Sequence, residues 1–157
     1  MSLQGKTAIV TGGGRDIGRA CAIALAEEGA NVVINYHSSS AGADSAVKEI
    51  ADAGGKAIAL QGDMTNQADV DALISASQAS FGNEINVLIH VTGGLVARKT
   101  LSEMDLDHWH SVMNLNTTSL FMMAKAVEPH MTEGSAIVTF ASQAGRDGGG
   151  PGSVAYA

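Results

Sequence analysis

The chain has 157 residues, 45% of them hydrophobic, 16% charged and 4% aromatic, with nine basic side chains against sixteen acidic ones and a net charge of −7. That length fits one domain, able to bury roughly 68–70% of its unfolded surface. The acidic balance argues against nucleic acid as a partner, and Cys21 as the only cysteine excludes an intrachain disulfide and a cysteine-rich metal site. No apolar run approaches the ~18–20 residues that span a bilayer, so no membrane partner is expected. Met1 to Lys6 leads straight into an apolar run, leaving no room for a signal h-region. These features predict a cytoplasmic protein with a single domain over residues 1–157.

Runs rich in β-branched residues alternate with segments of helical period. Thr7-Ala8-Ile9-Val10-Thr11 predicts a first strand. Ile17, Ala20, Cys21, Ala24 and Leu25 follow at the spacing of one helix face, and Gly29 stands where a capping glycine belongs. Asn31 to Asn35 predicts the second strand, and Ala43, Ala46, Val47 and Ile50 mark the second helix, closed by Gly54-Gly55. Ala57 to Leu60 is the third strand, Val70, Leu73, Ile74 and Phe81 outline the third helix, and Val87-Leu88-Ile89 is the fourth strand. A polar loop from Gly93 to Glu103 precedes a long helical stretch from about Asp105 to His130. Ser135 to Phe140 predicts a fifth strand, and Gly145 to Gly152, with five glycines and a proline, reads as loop. This alternation predicts a Rossmann-like, doubly wound α/β fold, a parallel sheet covered on both faces. In such sheets ligands bind beyond the carboxyl ends of the strands, where strand order reverses.

The residues after each strand are therefore the candidates. Thr11 to Gly18 reads T-G-G-G-R-D-I-G. Glycines there let backbone N–H groups approach a pyrophosphate resting on the positive end of the next helix. The spacing is longer than G-x-G-x-x-G and is not a P-loop. The region after the second strand, Asn35-Tyr36-His37-Ser38, lacks the acid that would bond an adenosine 2′-OH. Arg15 offers a guanidinium to a 2′-phosphate instead, so NADP(H) is favoured and NAD(H) remains possible. Arg15 also reads as a plain surface charge. His37, His108, His110 and His130 form no ligand pattern, and a separation of two points His108 and His110 to different helix faces. No metal site is predicted.

The glycine turn resembles that of the short-chain dehydrogenase/reductase family, T-G-x-x-x-G-I-G. Thr11, Gly12, Ile17 and Gly18 match, with Gly14, Arg15 and Asp16 inside the turn. Asp16 replaces the middle glycine; its carboxylate is expected to cap the first helix and to weaken pyrophosphate binding. Asp63, followed by Met64, matches the family's adenine-contacting aspartate and equally reads as a turn or capping residue. After the fourth strand the family's N-N-A-G is His90-Val91-Thr92-Gly93 here, so His90 or Thr92 must supply the asparagine's hydrogen bonds between strands. Val91, Thr92 and Gly93 complete the expected cofactor contacts. His90 itself reads as a satisfied core-edge histidine rather than a catalyst.

The resemblance implies an oxidoreductase with three catalytic residues. Asn116, in Asn116-Thr117-Thr118-Ser119-Leu120-Phe121, is the better match to the asparagine that interrupts the family's helix, with Asn114 second. Ser142 and Tyr156, fourteen residues apart, match the catalytic pair. Hydride attack on a ketone builds charge on its oxygen; Ser142 can donate a hydrogen bond to it, and Tyr156 can exchange a proton with it. The resemblance is strongest to the 3-oxoacyl-(acyl-carrier-protein) reductase type, with a small-molecule carbonyl or hydroxyl substrate and a homodimer or homotetramer implied. Arg98 and Lys99 can meet an acidic carrier. The family's lysine would stand three positions past Ala157, so the sequence is expected to represent part of a longer protein with only the first five strands. The fifth strand is then expected to be an exposed edge. Val112, Met113, Leu120, Met123 and Val127 are expected to form an exposed apolar face. A nucleotide-binding module without catalysis is the second reading. A flavodoxin-like receiver or FMN protein is a third, with no purpose for Ser142 and Tyr156.

Overall fold

The computed structural model describes residues 3–157. Met1 and Ser2, at the head of the segment expected to lead into the first strand, lie outside the described residues. The strands are β1 (Thr7–Thr11), β2 (Asn31–Tyr36), β3 (Lys56–Gln61), β4 (Val87–His90) and β5 (Ala136–Thr139). They form one parallel sheet in the order β3-β2-β1-β4-β5. The chain winds outward from β1 to β3, then crosses back to lay β4 on the other side of β1. That reversal opens a crevice above the carboxyl ends of β1 and β4, where Thr11 and His90 stand in register.

The helices are α1 (Asp16–Glu27), α2 (Ser40–Asp52), α3 (Gln67–Phe81), α4 (Leu106–Met113), α5 (Ser119–Val127) and α6 (Ala144–Asp147). Strand alternation divides the core between the two faces of the sheet. Ala8, Val10, Val32 and Ile34 pack with Ala22, Ala43, Ala46 and Ile50 of α1 and α2. Ile9, Val33 and Leu88 pack with Val70, Leu73 and Ile74 of α3 and Met123 and Val127 of α5. The Rossmann-like doubly wound architecture is thus present. No helix of the described residues is long and apolar enough to cross a membrane.

Several local expectations are corrected. The buried face of α1 centres on Gly18 and Ala22 rather than on Ile17, Ala20 and Ala24, which are exposed. A Cβ at Gly18 would collide with the Gly12 carbonyl, so the helix approaches the sheet through its smallest residue and turns Ile17 outward. The long helical stretch is not one helix: α4 and α5 are joined by a π-turn over Asn114–Thr118, and a 3₁₀ turn covers Glu128–His130. Val112, Met123 and Val127, expected on an exposed face, are buried, and the exposed large side chains there are Leu106, Trp109 and Phe121. The segment read as loop from Gly145 begins inside the short helix α6. Strand β5 is an exposed edge, with Ile137, Val138 and Phe140 all open to solvent.

Candidate functional site

The glycine turn forms one wall of the crevice. Gly12 takes a left-handed φ of 63° and lies against the backbone of Val91 and Thr92, which brings the end of β1 beside the loop after β4. Gly14 is pressed against Ser39, just before α2. Arg15 is the N-cap of α1 and makes no side-chain cap bond, which leaves the first N–H groups of the helix without that acceptor. Ile17 is 53% exposed at the same mouth.

Asp16 does not cap α1, contrary to expectation. It holds a φ of 47°, a left-handed conformation that suits the glycine it replaces, and its carboxylate turns to Arg15 (Nε···Oδ2 3.7 Å), both side chains being well exposed. The guanidinium expected to meet a 2′-phosphate therefore has a carboxylate beside it.

On the adenosine side the expected contacts separate into two groups. Asn35 is buried: its side-chain amide donates to the Gly62 carbonyl (3.0 Å) and its own carbonyl accepts from Gly13 N–H (2.8 Å). It is a strut holding the glycine turn to the end of β3, and its side chain is not presented to a ligand. Met64 is a second correction, because the whole residue is 2% exposed and packs in the α3–α5 core rather than facing the crevice. Tyr36 is half-buried against the α1–α2 core, while His37 and Ser38 are exposed. Asp63 forms a turn: Oδ1 accepts from the Thr65 N–H and hydroxyl (both 2.8 Å). Asn66, not Asp63, caps α3.

Across the crevice His90 is buried and bridges elements, as its position in the altered motif requires. Nδ1 lies 3.1 Å from Thr11 Oγ1 and Nε2 3.1 Å from Ser119 Oγ. Thr11 Oγ1 also accepts the N–H groups of Val91 (3.1 Å) and Thr92 (3.2 Å). Burial pushes the His90 imidazole down to about 4, so it is neutral at pH 7. His108 is buried and His110 exposed, on different faces of α4.

The loop after β4 is held to the π-turn by Asn116. Its Oδ1 accepts from Gly94 N–H (2.8 Å), and its Nδ2 donates to the carbonyls of Gly94 and Val112 (both 2.8 Å). Gly93 sits so close to Asn116 that a Cβ there would lie 2.9 Å from Oδ1. Asn114, the second candidate, is exposed and bonds only Thr118 with its side chain. A π-turn adds one residue to a helical turn and is a common feature of functional sites.

Ser142 and Tyr156 line one open cavity of about 540 Å³ with Leu95, Arg98, Ala144, Asp147 and Ser153. Ser142 Oγ accepts from the Ala144 N–H (3.2 Å) at the start of α6, which orients the hydroxyl. The Arg98 guanidinium donates to the Pro151 carbonyl and the Lys99 N–H to that of Gly152 (both 2.9 Å), closing one side of the cavity. Lys99 is ion-paired with Asp105 (3.0 Å), which leaves Arg98 as the cation on the cavity wall. Val96 holds a φ of 64° in this loop, an uncommon conformation for a β-branched residue. The sequence assigns no role to Thr11, Gly94 or Ser119. Thr11 and Ser119 were visible only as matched motif letters, and Gly94 contributes backbone groups that side-chain chemistry cannot announce.

Comparison with known proteins agrees with this geometry. The chain is 40% identical to a 3-oxoacyl-[acyl-carrier-protein] reductase of Synechocystis sp., over 99% of this chain and 62% of that protein. It superposes on a short chain dehydrogenase of Burkholderia cenocepacia in complex with NADP, with TM-score 0.91 and 31% identity, covering 99% of this chain and 63% of that one. It also matches NADH-dependent reductase A1-R′ complexed with NAD, with TM-score 0.89 and 36% identity, covering 98% and 66%. The chain spans 50–62% of the length of the first curated relatives it matches. A sequence model described as short chain dehydrogenase matches residues 6–157, and the chain belongs to that family.

Proposed function

We propose that the protein carrying this chain is an NADPH-dependent oxidoreductase that reduces a ketone or a 3-oxoacyl thioester to the alcohol. The observation that carries this reading is the cavity shared by Ser142 and Tyr156, two residues singled out by order and spacing. The likeness to a 3-oxoacyl-[acyl-carrier-protein] reductase supports the substrate class.

The residues present fit a nicotinamide dinucleotide. Gly12 and Gly18 let the turn pack tightly against α1 and the loop after β4, and the N–H groups of α1 without a side-chain cap are donors for a pyrophosphate. Exposed Arg15, His37 and Ser38, with no acid after β2, suit a 2′-phosphate better than a bare 2′-OH. Thr92, Gly93 and the Val91 backbone form the opposite wall. When bound, the cofactor supplies the hydride. The Ser142 hydroxyl donates to the substrate oxygen as charge builds on it. Tyr156 gives that oxygen its proton. Asn116 holds the loop after β4 against the π-turn and so keeps the two sides of the crevice at a set spacing.

The test is NADPH oxidation by the protein against neutral ketones and β-keto thioesters. Tyr156→Phe and Ser142→Ala are expected to lower kcat by about 10²-fold or more while leaving NADPH affinity near that of the parent. Arg15→Ala is expected to weaken NADPH more than NADH. Equal loss of binding and rate in the cavity variants would sink the assignment. The exposed Asp16 carboxylate at the pyrophosphate turn favours one other reading, a nucleotide-binding module without catalysis. NADPH binding without turnover of any carbonyl would establish it.

A further inference from the structure

The hydrogen bonds around His90 can be directed unambiguously. Thr11 Oγ1 has two lone pairs, and both are taken by N–H groups, those of Val91 and Thr92. Its contact with His90 Nδ1 must therefore be made by the Thr11 proton, so Nδ1 is the acceptor. The remaining ring proton then sits on Nε2 and is donated to Ser119 Oγ. The Ser119 hydroxyl is free to serve as that acceptor because its own proton goes to the Leu115 carbonyl (2.6 Å). The reverse tautomer fails at both ends. It would place a third donor on Thr11 Oγ1, and it would ask one Ser119 proton to serve two acceptors.

The far end of this chain of bonds reaches the π-turn. In an unbroken α-helix the Ser119 N–H would donate to Leu115. Here that N–H goes to the Asn114 carbonyl, and the Ser119 hydroxyl takes its place at Leu115. The hydroxyl thus sustains the wider turn, and the residue after Leu115 is Asn116. At the near end, Thr11 positions the N–H groups of Val91 and Thr92 against Gly12.

We propose that His90 is a positioning residue: fixed in its Nε2-protonated tautomer, it transmits the placement of the glycine turn, through Thr11 and Ser119, to the π-turn that carries Asn116. This goes beyond the tie between strands that the motif implied, because it joins the nucleotide side of the crevice to the proposed catalytic side. The bond directions stand without any assumed activity, and the effect on cofactor affinity and turnover rests on the reductase reading.

The test begins on the unaltered chain, where no variant can fail to fold. Nitrogen-15 spectra of the imidazole rings at pH 7 are expected to show His90 as a single tautomer, with Nε2 protonated and Nδ1 bare. An Nδ1-protonated ring, or a mixture of tautomers, would overturn the proposal. Ser119→Ala is then expected to move the backbone amide resonances of Val91 and Thr92, although no bond joins Ser119 to either. Unmoved resonances would count against transmission. His90→Phe and Ser119→Ala are each expected to weaken NADPH about fivefold, the worth of roughly one hydrogen bond. The double variant should lose no more than either single one. Additive losses would show two independent structural contacts and overturn the coupling. If the unaltered chain binds no NADPH, the reductase reading fails on its own, and the tautomer and amide shifts still judge the bond network.

Discussion

The strands that form the two halves of the crevice are built very differently. β1 is buried along its whole length, and β2 and β4 over all but their outermost residues, with helices packed on both faces. β5 shares the same sheet and the same parallel register with β4, yet every residue in it is exposed. Thr11 and His90 therefore stand on rigid ground, whereas Ser142 and Tyr156 follow an edge strand and a glycine-rich segment. The proposed nucleotide contacts thus lie on strands covered by helices, and the proposed catalytic pair follows the exposed strand. An exposed parallel edge is also a template for pairing with further chain.

Mutations can sharpen this contrast. The largest expected effect is from Ile9→Ala at the centre of β1, which removes a fully buried side chain and should destabilise the fold by about 2–5 kcal/mol. Ile137→Ala on β5, where the side chain is 41% exposed, should cost well under half as much. Urea unfolding of both variants measures the difference, and equal losses would break the comparison.

Next in size is a pH effect centred on the buried half. The folded-state pKa of His90 is lowered from 6.5 to about 4, so the unfolded chain binds the proton more readily than the folded one. Stability contributed by the neutral ring is full above pH 6.5, declines as pH falls toward 4, and levels off below. The loss should be roughly 3 kcal/mol from this residue. Urea midpoints of the parent and His90→Phe, compared between pH 7 and pH 4, isolate it, since the variant lacks that component.

A smaller effect is expected at the mouth of the glycine turn. Asp16→Gly removes a left-handed non-glycine residue and a carboxylate together, and should stabilise by up to about 1 kcal/mol. NADPH affinity should rise as well, read by fluorescence titration, and a fall would show that Asp16 helps to hold the cofactor. The smallest concerns Ser77 on α3, whose buried hydroxyl has no hydrogen-bond partner among the described residues. Ser77→Ala should raise thermal stability slightly, since it removes an unsatisfied polar atom at little cost in packing.

The elements themselves were legible, because alternating β-branched strands and helix-period segments leave few other architectures. Ser142 and Tyr156 were candidates through the resemblance to the family's pair, and the fold brings both to one cavity. Met64 and Asn35 were misplaced because position after a strand does not say which way a side chain points. Met64 turns into the α3–α5 core, and Asn35 turns toward Gly62 on a strand whose neighbour is decided by sheet order.

By itself, then, the sequence determined the doubly wound fold, the location of the glycine turn and the order of the candidate catalytic residues. Periodicity and turn chemistry are local, and local patterns survive without knowledge of neighbours. Tertiary structure decided the rotation of α1, the pairing of Asp16 with Arg15, and the tautomer of His90. Periodicity gives the relative phase of residues along a helix, while the closest approach at Gly18 sets its absolute rotation. The proton on His90 depends on Thr11, 79 residues away in the chain, and on Ser119, 29 residues away. Only the reversal of strand order at β1 and β4 brings those groups within reach of one ring.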